Sequence, residues 1–261
     1  HKELGSVTEA FSMSRPHKFA SILEDYAGRA AIGHTRYATC GGQTRAYAQP
    51  FERRHGCKWK WFAFAFNGNL ANFEHLRDEL LSAGDYHLAR DNDTEVILHF
   101  LAHELRGDER PDLLTVFADL SRKFDGAFNV AFLNADGEMV LLRDPLGLRP
   151  LCYAVDGGVF AAASESVALQ NLGFKEIKSL PPGHLIHVRP GSCEVKRFAP
   201  PREPAHCFFE WIYFANVAST LDDRSVYLSR TALGKELAKL ERDLKLFDYD
   251  DGNTVVVPVP D

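Results

Sequence analysis

Three short polar segments of this chain carry the residue types needed to hold a free amino acid beside a reacting carbonyl group. Arg36 has a guanidinium that can bind a carboxylate through two parallel charge-assisted hydrogen bonds. Asn67 and Gly68 offer a side-chain amide and a backbone N–H, the kinds of donor that form an oxyanion hole. Asp93 offers a carboxylate that can bind an ammonium group. We predict that these four residues line one small pocket sized for a zwitterion.

Each of these residues also has a simpler interpretation. An arginine on an edge strand is usually a surface residue, and an Asn-Gly pair is usually a type I′ hairpin turn. Asp93 is well placed to cap the helix that follows it. Asn67-Gly68, however, is followed by a helical pattern and not by a returning strand. This predicts a corner between a strand and a helix, with both donors facing a reacting carbonyl.

The motifs Gly-His-Thr-Arg-Tyr at 33–37, Asn-Gly-Asn-Leu at 67–70 and Asp-Thr-Glu at 93–95 resemble, in order and spacing, the glutaminase domain of class II glutamine amidotransferases. This resemblance implies that Arg36 binds the α-carboxylate of glutamine and that Asp93 binds its α-amino group. It also implies that Asn67 and Gly68 are the catalytic oxyanion-hole residues. Many members of the family have a histidine before the Asn-Gly pair, whereas this chain has phenylalanine.

The same resemblance implies a nucleophile that the sequence does not show. Class II amidotransferases attack the glutamine amide with a cysteine at the mature N-terminus, and its free amine carries the proton. This sequence begins with His1, and none of its five cysteines is terminal. It ends in an apolar, β-branched run typical of a buried strand. We therefore expect a piece of a longer polypeptide that hydrolyses no glutamine by itself.

Hydrophobic periodicity outlines the elements that must position these residues. Strands are predicted at 30–38 and 59–66, the second ending at the Asn-Gly pair. Helices are predicted at 73–82, 93–105 and 111–120 from apolar residues three and four positions apart. Six further short strands are predicted between 127 and 198, separated by glycine-containing turns. The fold class is therefore α+β, and strands that are apolar on both faces fit a four-layer αββα sandwich as well as other α+β arrangements. The resemblance implies the four-layer sandwich of the N-terminal-nucleophile hydrolases.

The C-terminal part of the sequence predicts a second domain. A proline-rich joint at 200–204 marks the boundary, so we assign 1–205 to the glutaminase domain and 206–261 to a junction and the start of another domain. In this second part we predict a strand at 207–214, a long helix at 225–244 with a stripe of leucines, and a strand from 254. A helix followed by such a strand is typical of an α/β domain.

The text Cys-Phe-Phe-Glu-Trp-Ile-Tyr-Phe-Ala at 207–215, followed by Ser-Val-Tyr at 225–227, resembles the junction of the amidophosphoribosyltransferase family. This implies a phosphoribosyltransferase domain that uses Mg²⁺, and an enzyme that is a glycosyltransferase with glutaminase activity. Ammonia from glutamine would displace pyrophosphate from 5-phosphoribosyl-1-diphosphate, giving 5-phosphoribosylamine in the first step of purine synthesis. Asparagine synthetase, glucosamine-6-phosphate synthase and a catalytically inactive binding homologue are the alternatives.

Two further expectations concern single residues. In some members of the resembled family the cysteine equivalent to Cys207 is a ligand of a 4Fe–4S cluster, whereas others keep the cysteine without a cluster. A small, buried apolar role for Cys207 is the remaining alternative. Arg149 and Glu165 lie in two other segments that match the family, and we predict that they form a buried pair fixing two loops.

Composition excludes several classes of function. The 261 residues are 45% hydrophobic and carry a net charge of −6 with both signs interspersed, so the chain is globular and has no basic face for nucleic acid. No apolar run approaches the ~20 residues of a membrane helix. The cysteines are scattered without a Cys-x-x-Cys pair, which fits the reducing cytoplasm. The expected partners are glutamine and 5-phosphoribosyl-1-diphosphate, in a homo-oligomer.

Overall fold

The structure is a computed structural model that describes residues 1–36, 44–84 and 86–245, together with the single residues 252, 255 and 257. Some of the sequence-based predictions fall outside these residues. They are Tyr37, the last two positions of the strand predicted at 30–38, Cys40, and the strand predicted from 254, apart from the isolated residues 255 and 257.

The described chain contains seven α-helices and eleven strands. The helices are α1 (Val7–Ala10), α2 (Pro16–Asp25), α3 (Phe73–Ser82), α4 (Asp93–Glu104), α5 (Leu113–Lys123), α6 (Ser166–Asn171) and α7 (Val226–Leu244). The strands are β1 (Phe51–Arg53), β2 (Phe62–Leu70), β3 (Gly126–Asn134), β4 (Met139–Arg143), β5 (Cys152–Asp156), β6 (Val159–Ala163), β7 (Lys178–Ser179), β8 (His184–Arg189), β9 (Ser192–Arg197), β10 (Thr220–Leu221) and β11 (Arg224–Ser225).

The described elements stack in four layers, as the sequence predicts. An antiparallel sheet with strand order β1-β2-β3-β4-β8-β9 packs its aromatic face, including Phe64 and Phe132, against α3, α4 and α5. Its other face contributes Leu141 and Ile186 to a second core, shared with the smaller sheet β6-β5-β7. The far side of that smaller sheet packs on α6 through Leu169. The order of layers is therefore helix, sheet, sheet, helix.

β2 is longer than the sequence predicts. The aromatic segment does not begin as a strand at 59, because Lys58–Lys60 forms a 3₁₀ helix, and the strand does not end at the Asn-Gly pair. Asn67 and Gly68 lie inside β2, opposite Asn129 and Phe128 of β3. The nine-residue pairing with β3 overrides the local turn preference of Asn-Gly, and the chain turns into α3 only after Leu70.

The caps of two helices differ from the predicted ones. Asn92, and not Asp93, caps α4, because its side-chain oxygen accepts a hydrogen bond from the Glu95 backbone N–H at 2.8 Å. Asp93 is thereby the first helical residue, and its carboxylate is left for other contacts. α5 begins two residues later than predicted, because Asp112 caps it through the backbone N–H of Thr115.

Two predicted strands are absent from the described residues. Residues 30–36 are extended but belong to no sheet. The segment predicted as a strand at 207–214 is helical and ends in a π-helical turn, Glu210–Phe214. The aromatic residues suggested a strand, but Glu210 is the buried residue of this turn whereas Tyr213 and Phe214 are exposed.

The segment from 205 to 226 is bound to the four-layer unit through buried ion pairs. Arg149 pairs with Glu210 at 2.7 Å, so the predicted pair of Arg149 with Glu165 is wrong. Burial raises the pKa of the Glu210 carboxyl, and the Arg149 guanidinium opposes that rise. The Glu165 carboxylate instead accepts hydrogen bonds from the Asn216 backbone N–H at 2.7 Å and from Ser219 Oγ at 2.9 Å.

Arg143 makes the most deeply buried of these ion pairs. Its side chain is 1% exposed, and its guanidinium donates to both carboxylate oxygens of Asp222, at 2.6 and 2.8 Å. The remaining guanidinium N–H groups donate to backbone carbonyl oxygens of residues Gly147, Arg149 and Leu180. All five donors of Arg143 are thus satisfied, which a buried guanidinium requires.

α7 extends from this segment. Ser225 caps it, and the predicted leucine stripe is present but lies in solvent: Leu233, Leu237, Leu240 and Leu244 are each more than half exposed. In the described residues, no helix has the length and apolar character needed to span a membrane.

Candidate active site

The candidate site lies along one edge of β2, beyond the point where β1 stops covering it. β1 pairs with residues 62–64 of β2 only. The side chain of Gln49 continues this pairing, because its Oε1 accepts from the Phe66 N–H at 2.6 Å and its Nε2 donates to the Phe66 carbonyl at 3.2 Å. The hydrogen-bonding groups of Phe66 therefore point toward the β1 side of the strand.

Strand alternation directs the Gly68 N–H to this same edge. Successive residues of an antiparallel strand point their backbone groups to opposite sides. Gly68 lies two residues after Phe66, so its backbone groups point to the same side as those of Phe66. Phe128 lies opposite Gly68 in β3, but its carbonyl faces the β4 side, where it accepts from the Asp144 N–H at 2.8 Å. The Gly68 N–H is thus directed away from β3, as an oxyanion-hole donor must be.

Gly68 is also required by the close approach of β3. A Cβ atom on Gly68 would lie 1.9 Å from the Ala127 carbonyl oxygen and 2.8 Å from Phe128 Cα. No side chain fits between backbones this close. The glycine that presents the donor is therefore fixed by packing as well as by chemistry.

Asp93 binds the same edge of β2 at Leu70, two residues after Gly68. Its Oδ2 accepts a hydrogen bond from the Leu70 N–H at 3.0 Å, and Leu70 follows Gly68 in the strand alternation. Among the described residues, Oδ1 of Asp93 has no hydrogen-bond partner. With ~3.4 Å per residue, the Asp93 carboxylate lies roughly 7 Å along the strand from the Gly68 N–H. This separation suits a ligand with a carbonyl at one end and an ammonium group at the other.

The Asn67 side chain lies on the side of β2 that is turned toward the smaller sheet. Its Nδ2 donates to Ser164 Oγ at 3.4 Å, across 97 positions of sequence. One N–H of this amide is therefore held by Ser164, and the second is available to a ligand. Ser164 directly follows β6 and is exposed.

Arg36 lies two residues after His34, which contacts β2. The His34 imidazole is hydrogen-bonded to the backbone of Phe66 and feels the charge of Arg36. Burial lowers the pKa of His34, so the ring is neutral at physiological pH, although its bond to Phe66 opposes this shift. Arg36 also lies over the ring of Tyr47, with its Cζ 5.7 Å from the ring centroid. The extended segment with Arg36 therefore runs beside the β2 edge that presents Gly68.

Glu95, the last residue of the Asp-Thr-Glu motif, has a structural role. It is buried, and its carboxylate accepts from the Ala89 N–H at 2.8 Å and from Arg90 Nη1 at 2.7 Å. These bonds hold the loop that precedes α4. The two acidic residues of the motif therefore differ in role: Asp93 faces the strand edge, and Glu95 holds the start of the helix.

Two residues of this arrangement are not evident from the sequence. Gln49 and Ser164 belong to no motif with a recognisable site function, and their partners are 17 and 97 positions away. Only the pairing of distant segments reveals them.

A surface cavity of about 230 Å³ lies elsewhere, between β1 and the end of α4, and is lined by Arg53, Lys60 and Arg106 among others. Its lining includes none of the four predicted site residues.

Cys207 is the one metal ligand that the sequence suggests. The residue is a partly buried free thiol, and its N–H donates to the Leu148 carbonyl at 3.2 Å. Within residues 1–36, 44–84 and 86–245, no group of three or more histidine, cysteine or acidic side chains is arranged to hold a metal ion. The described residues thus form no complete ligand set for a cluster, and no chemical step is assigned to one.

This geometry agrees in class with the comparisons to known proteins. Residues 34–171 match the family model of the glutamine amidotransferase domain, and the chain belongs to that family. The matched region includes Arg36, Asn67, Gly68 and Asp93.

More particular similarity is found with amidophosphoribosyltransferases. The chain is 34% identical over 267 residues to the enzyme of Methanothermobacter thermautotrophicus, covering 100% of this chain and 51% of that protein. It is 33% identical over 256 residues to the enzyme of Escherichia coli, covering 93% of this chain and 49% of that protein. The chain spans about half the length of the curated relatives it matches.

A solved structure shows the same similarity. Glutamine phosphoribosylpyrophosphate amidotransferase from B. subtilis, complexed with ADP and GMP, aligns with a TM-score of 0.69 at 29% identity. The alignment covers 79% of this chain and 43% of that protein. The predicted α+β fold class is confirmed by this match.

Proposed function

We propose that this chain is the glutamine-binding part of a glutamine-dependent amidophosphoribosyltransferase. The complete enzyme would hydrolyse glutamine and use the ammonia to displace pyrophosphate from 5-phosphoribosyl-1-diphosphate, forming 5-phosphoribosylamine for purine synthesis. The similarity to amidophosphoribosyltransferases extends through the junction after residue 205, which supports this enzyme over other class II amidotransferases.

One observation carries the proposal: a single edge of β2 presents the Gly68 N–H with the Asp93 carboxylate two residues further on. Glutamine would place its side-chain carbonyl at Gly68 and its α-ammonium group at Asp93 Oδ1. Arg36, on the segment beside this edge, would bind the α-carboxylate through a two-fold hydrogen bond.

The chemistry would then proceed by nucleophilic attack on the glutamine amide. A cysteine thiolate, placed by the family resemblance at the mature N-terminus, would add to the amide carbon and place negative charge on the amide oxygen. The Gly68 N–H and the Asn67 Nδ2 would stabilise this charge. The C–N bond breaks as the leaving nitrogen takes a proton, so ammonia departs and a thioester remains. Water then hydrolyses the thioester to glutamate.

The remaining features of the enzyme are proposed from the resemblance. Residues 1–205 form the glutaminase domain, and 206–261 form the junction and the start of the phosphoribosyltransferase domain. That domain would bind 5-phosphoribosyl-1-diphosphate with Mg²⁺, and Cys207 would be one ligand if a 4Fe–4S cluster is present. We propose a cytoplasmic homo-oligomer that binds neither nucleic acid nor membrane.

The test compares glutamine and free ammonia as nitrogen donors in the natural polypeptide that carries this chain. Arg36→Ala should raise the KM for glutamine about 100-fold, because a charged partner of the substrate carboxylate is removed. Arg36→Lys keeps the charge but loses the two-fold geometry, so we expect a smaller increase. Synthesis from ammonium chloride should be unchanged in both variants. An equal loss of both activities would show that Arg36 does not bind glutamine.

A further inference from the structure

Three consecutive residues join the candidate oxyanion hole to the junction segment. Ser164 accepts a hydrogen bond from Asn67 Nδ2 at 3.4 Å. The next residue, Glu165, binds the junction through the Asn216 N–H at 2.7 Å and Ser219 Oγ at 2.9 Å. The third, Ser166, accepts from the Thr220 N–H at 2.8 Å through its Oγ. One short segment therefore contacts both places.

The local backbone makes this segment a rigid connection. It lies between the end of β6 and the first turn of α6, for which Glu165 is the cap position. Ser166 is buried, and α6 packs on the smaller sheet through Leu169. Because Ser164 directly precedes Glu165 in the chain, a displacement of Glu165 by residues 216–220 would also shift the backbone of Ser164.

The orientation of the Asn67 amide matters for the proposed reaction. An asparagine side chain can present either its N–H groups or its oxygen toward a ligand, and only the N–H groups stabilise an oxyanion. A hydroxyl acceptor at one amide N–H fixes the side-chain plane and leaves the other N–H for the ligand. Ser164 is the described residue that supplies this acceptor.

We infer that Ser164 is a positioning residue for Asn67, and that Glu165 and Ser166 tie this positioning to the junction. The inference rests on the proposed glutaminase function and deepens it. Movement of residues 216–220, which lead into α7, would shift the Ser164 hydroxyl and thereby weaken or restore the oxyanion hole.

The experiment measures glutaminase kinetics and ammonia-dependent synthesis in the natural polypeptide that carries this chain. Ser164→Ala should lower kcat with glutamine about tenfold, with a KM change below about twofold, because a hydrogen bond to a positioned donor is lost. Ser164→Thr keeps a hydroxyl and should recover most of this loss. Glu165→Ala should also lower kcat, because it removes the oxygen Oε2 that accepts both hydrogen bonds from the junction. Ammonia-dependent synthesis should stay unchanged in all three.

A matched control removes another serine that binds the junction. Ser179 Oγ accepts from the Asp222 N–H at 3.1 Å, so it anchors the same segment without adjoining Ser164. Ser179→Ala should leave kcat within about twofold of the unmodified protein. If Ser179→Ala lowers kcat as much as Ser164→Ala, general loosening of the junction explains both, and the inference is wrong.

A double-mutant cycle separates positioning from general structural damage. Asn67→Ala should lower kcat by about 100-fold or more, as loss of one oxyanion donor does. If Ser164 acts through Asn67, adding Ser164→Ala to Asn67→Ala should cause no further loss. Independent, multiplying losses would overturn the inference while leaving the glutaminase function intact. An unmodified protein without glutaminase activity would overturn the proposed function itself, and the inference with it.

Discussion

At the scale of single residues, the candidate site is built by backbone groups whose directions the strand fixes. The alternation of β2 directs the Gly68 N–H to the edge where Gln49 holds the backbone groups of Phe66. Asp93 keeps one oxygen on the Leu70 N–H, which orients the carboxylate and leaves the other oxygen for a ligand. The side chains named by the motifs thus depend on a frame of neighbouring backbone hydrogen bonds.

The sequence predicts part of this frame. Arg36, Asn67, Gly68 and Asp93 could be chosen from the sequence because their motifs have a recognisable order. Ser164 could not, because its contact with Asn67 depends on how the two sheets pack. Their roles toward a ligand stay predictions until one is bound.

Gly68→Ala tests the close approach of β2 and β3. The added Cβ meets backbone atoms, which cannot rotate away, so we expect a loss of about 3 kcal/mol in the free energy of unfolding. This corresponds to a fall of roughly 6–12 °C in Tm. Thermal and chemical denaturation would measure it.

Gly234→Ala is the matched control, because nothing lies within 4 Å of its Cβ position in α7. Alanine favours a helix interior over glycine, so stability should stay equal or rise by up to about 1 kcal/mol. If Gly68→Ala proved as harmless as Gly234→Ala, the described pairing of β2 with β3 at this position would be incorrect.

At the scale of elements, periodic patterns predicted the fold better than single turn signals did. The apolar spacing of α3 predicted its bounds, and all six strands predicted between 127 and 198 are present, as β3, β4, β5, β6, β8 and β9. The wrong predictions of element bounds occurred where contacts between distant segments outweighed a local conformational preference. Asn67-Gly68 was expected to end β2, but pairing with β3 extends the strand to Leu70.

The junction shows a second reason why elements escape prediction. The aromatic residues at 207–214 suggest a strand, yet the segment is helical because Glu210 turns inward to Arg149. That ion pair joins residues 61 positions apart. Because Glu210 is so distant in sequence, it was not predicted as the partner of Arg149, and Glu165 was predicted instead. Local patterns cannot specify such pairs.

At the scale of the whole molecule, the chain is a four-layer unit with a firmly attached connector. Arg143, Arg149 and Glu165 all bind the segment from 210 to 222. Beyond it, α7 projects a leucine stripe into solvent. The chain spans about half the length of the relatives it matches, and the similarity includes this connector.

Asp222→Asn tests how firmly the connector is attached. Asp222 has a positive φ of 46°, which asparagine tolerates, so the substitution removes charge without adding backbone strain. Arg143 would remain buried with a weakened partner, and we expect a loss of about 3 kcal/mol in the free energy of unfolding. Limited proteolysis should also cut between 205 and 226 faster.

An exposed ion pair provides the comparison for this variant. Glu194 pairs with Arg189 and Lys196 at the surface, where water screens the charges. Glu194→Gln should leave both denaturation and proteolysis unchanged. Equal behaviour of the two variants would mean that the pair of Arg143 and Asp222 does not hold the connector.

The most direct measurement is a crystal structure, with glutamine bound, of the natural polypeptide that carries this chain, its nucleophile replaced. We predict that the α-carboxylate binds Arg36, that the α-ammonium group binds Asp93 Oδ1, and that the side-chain oxygen lies about 3 Å from the Gly68 nitrogen. Glutamine bound at another place, with the β2 edge empty, would contradict the account.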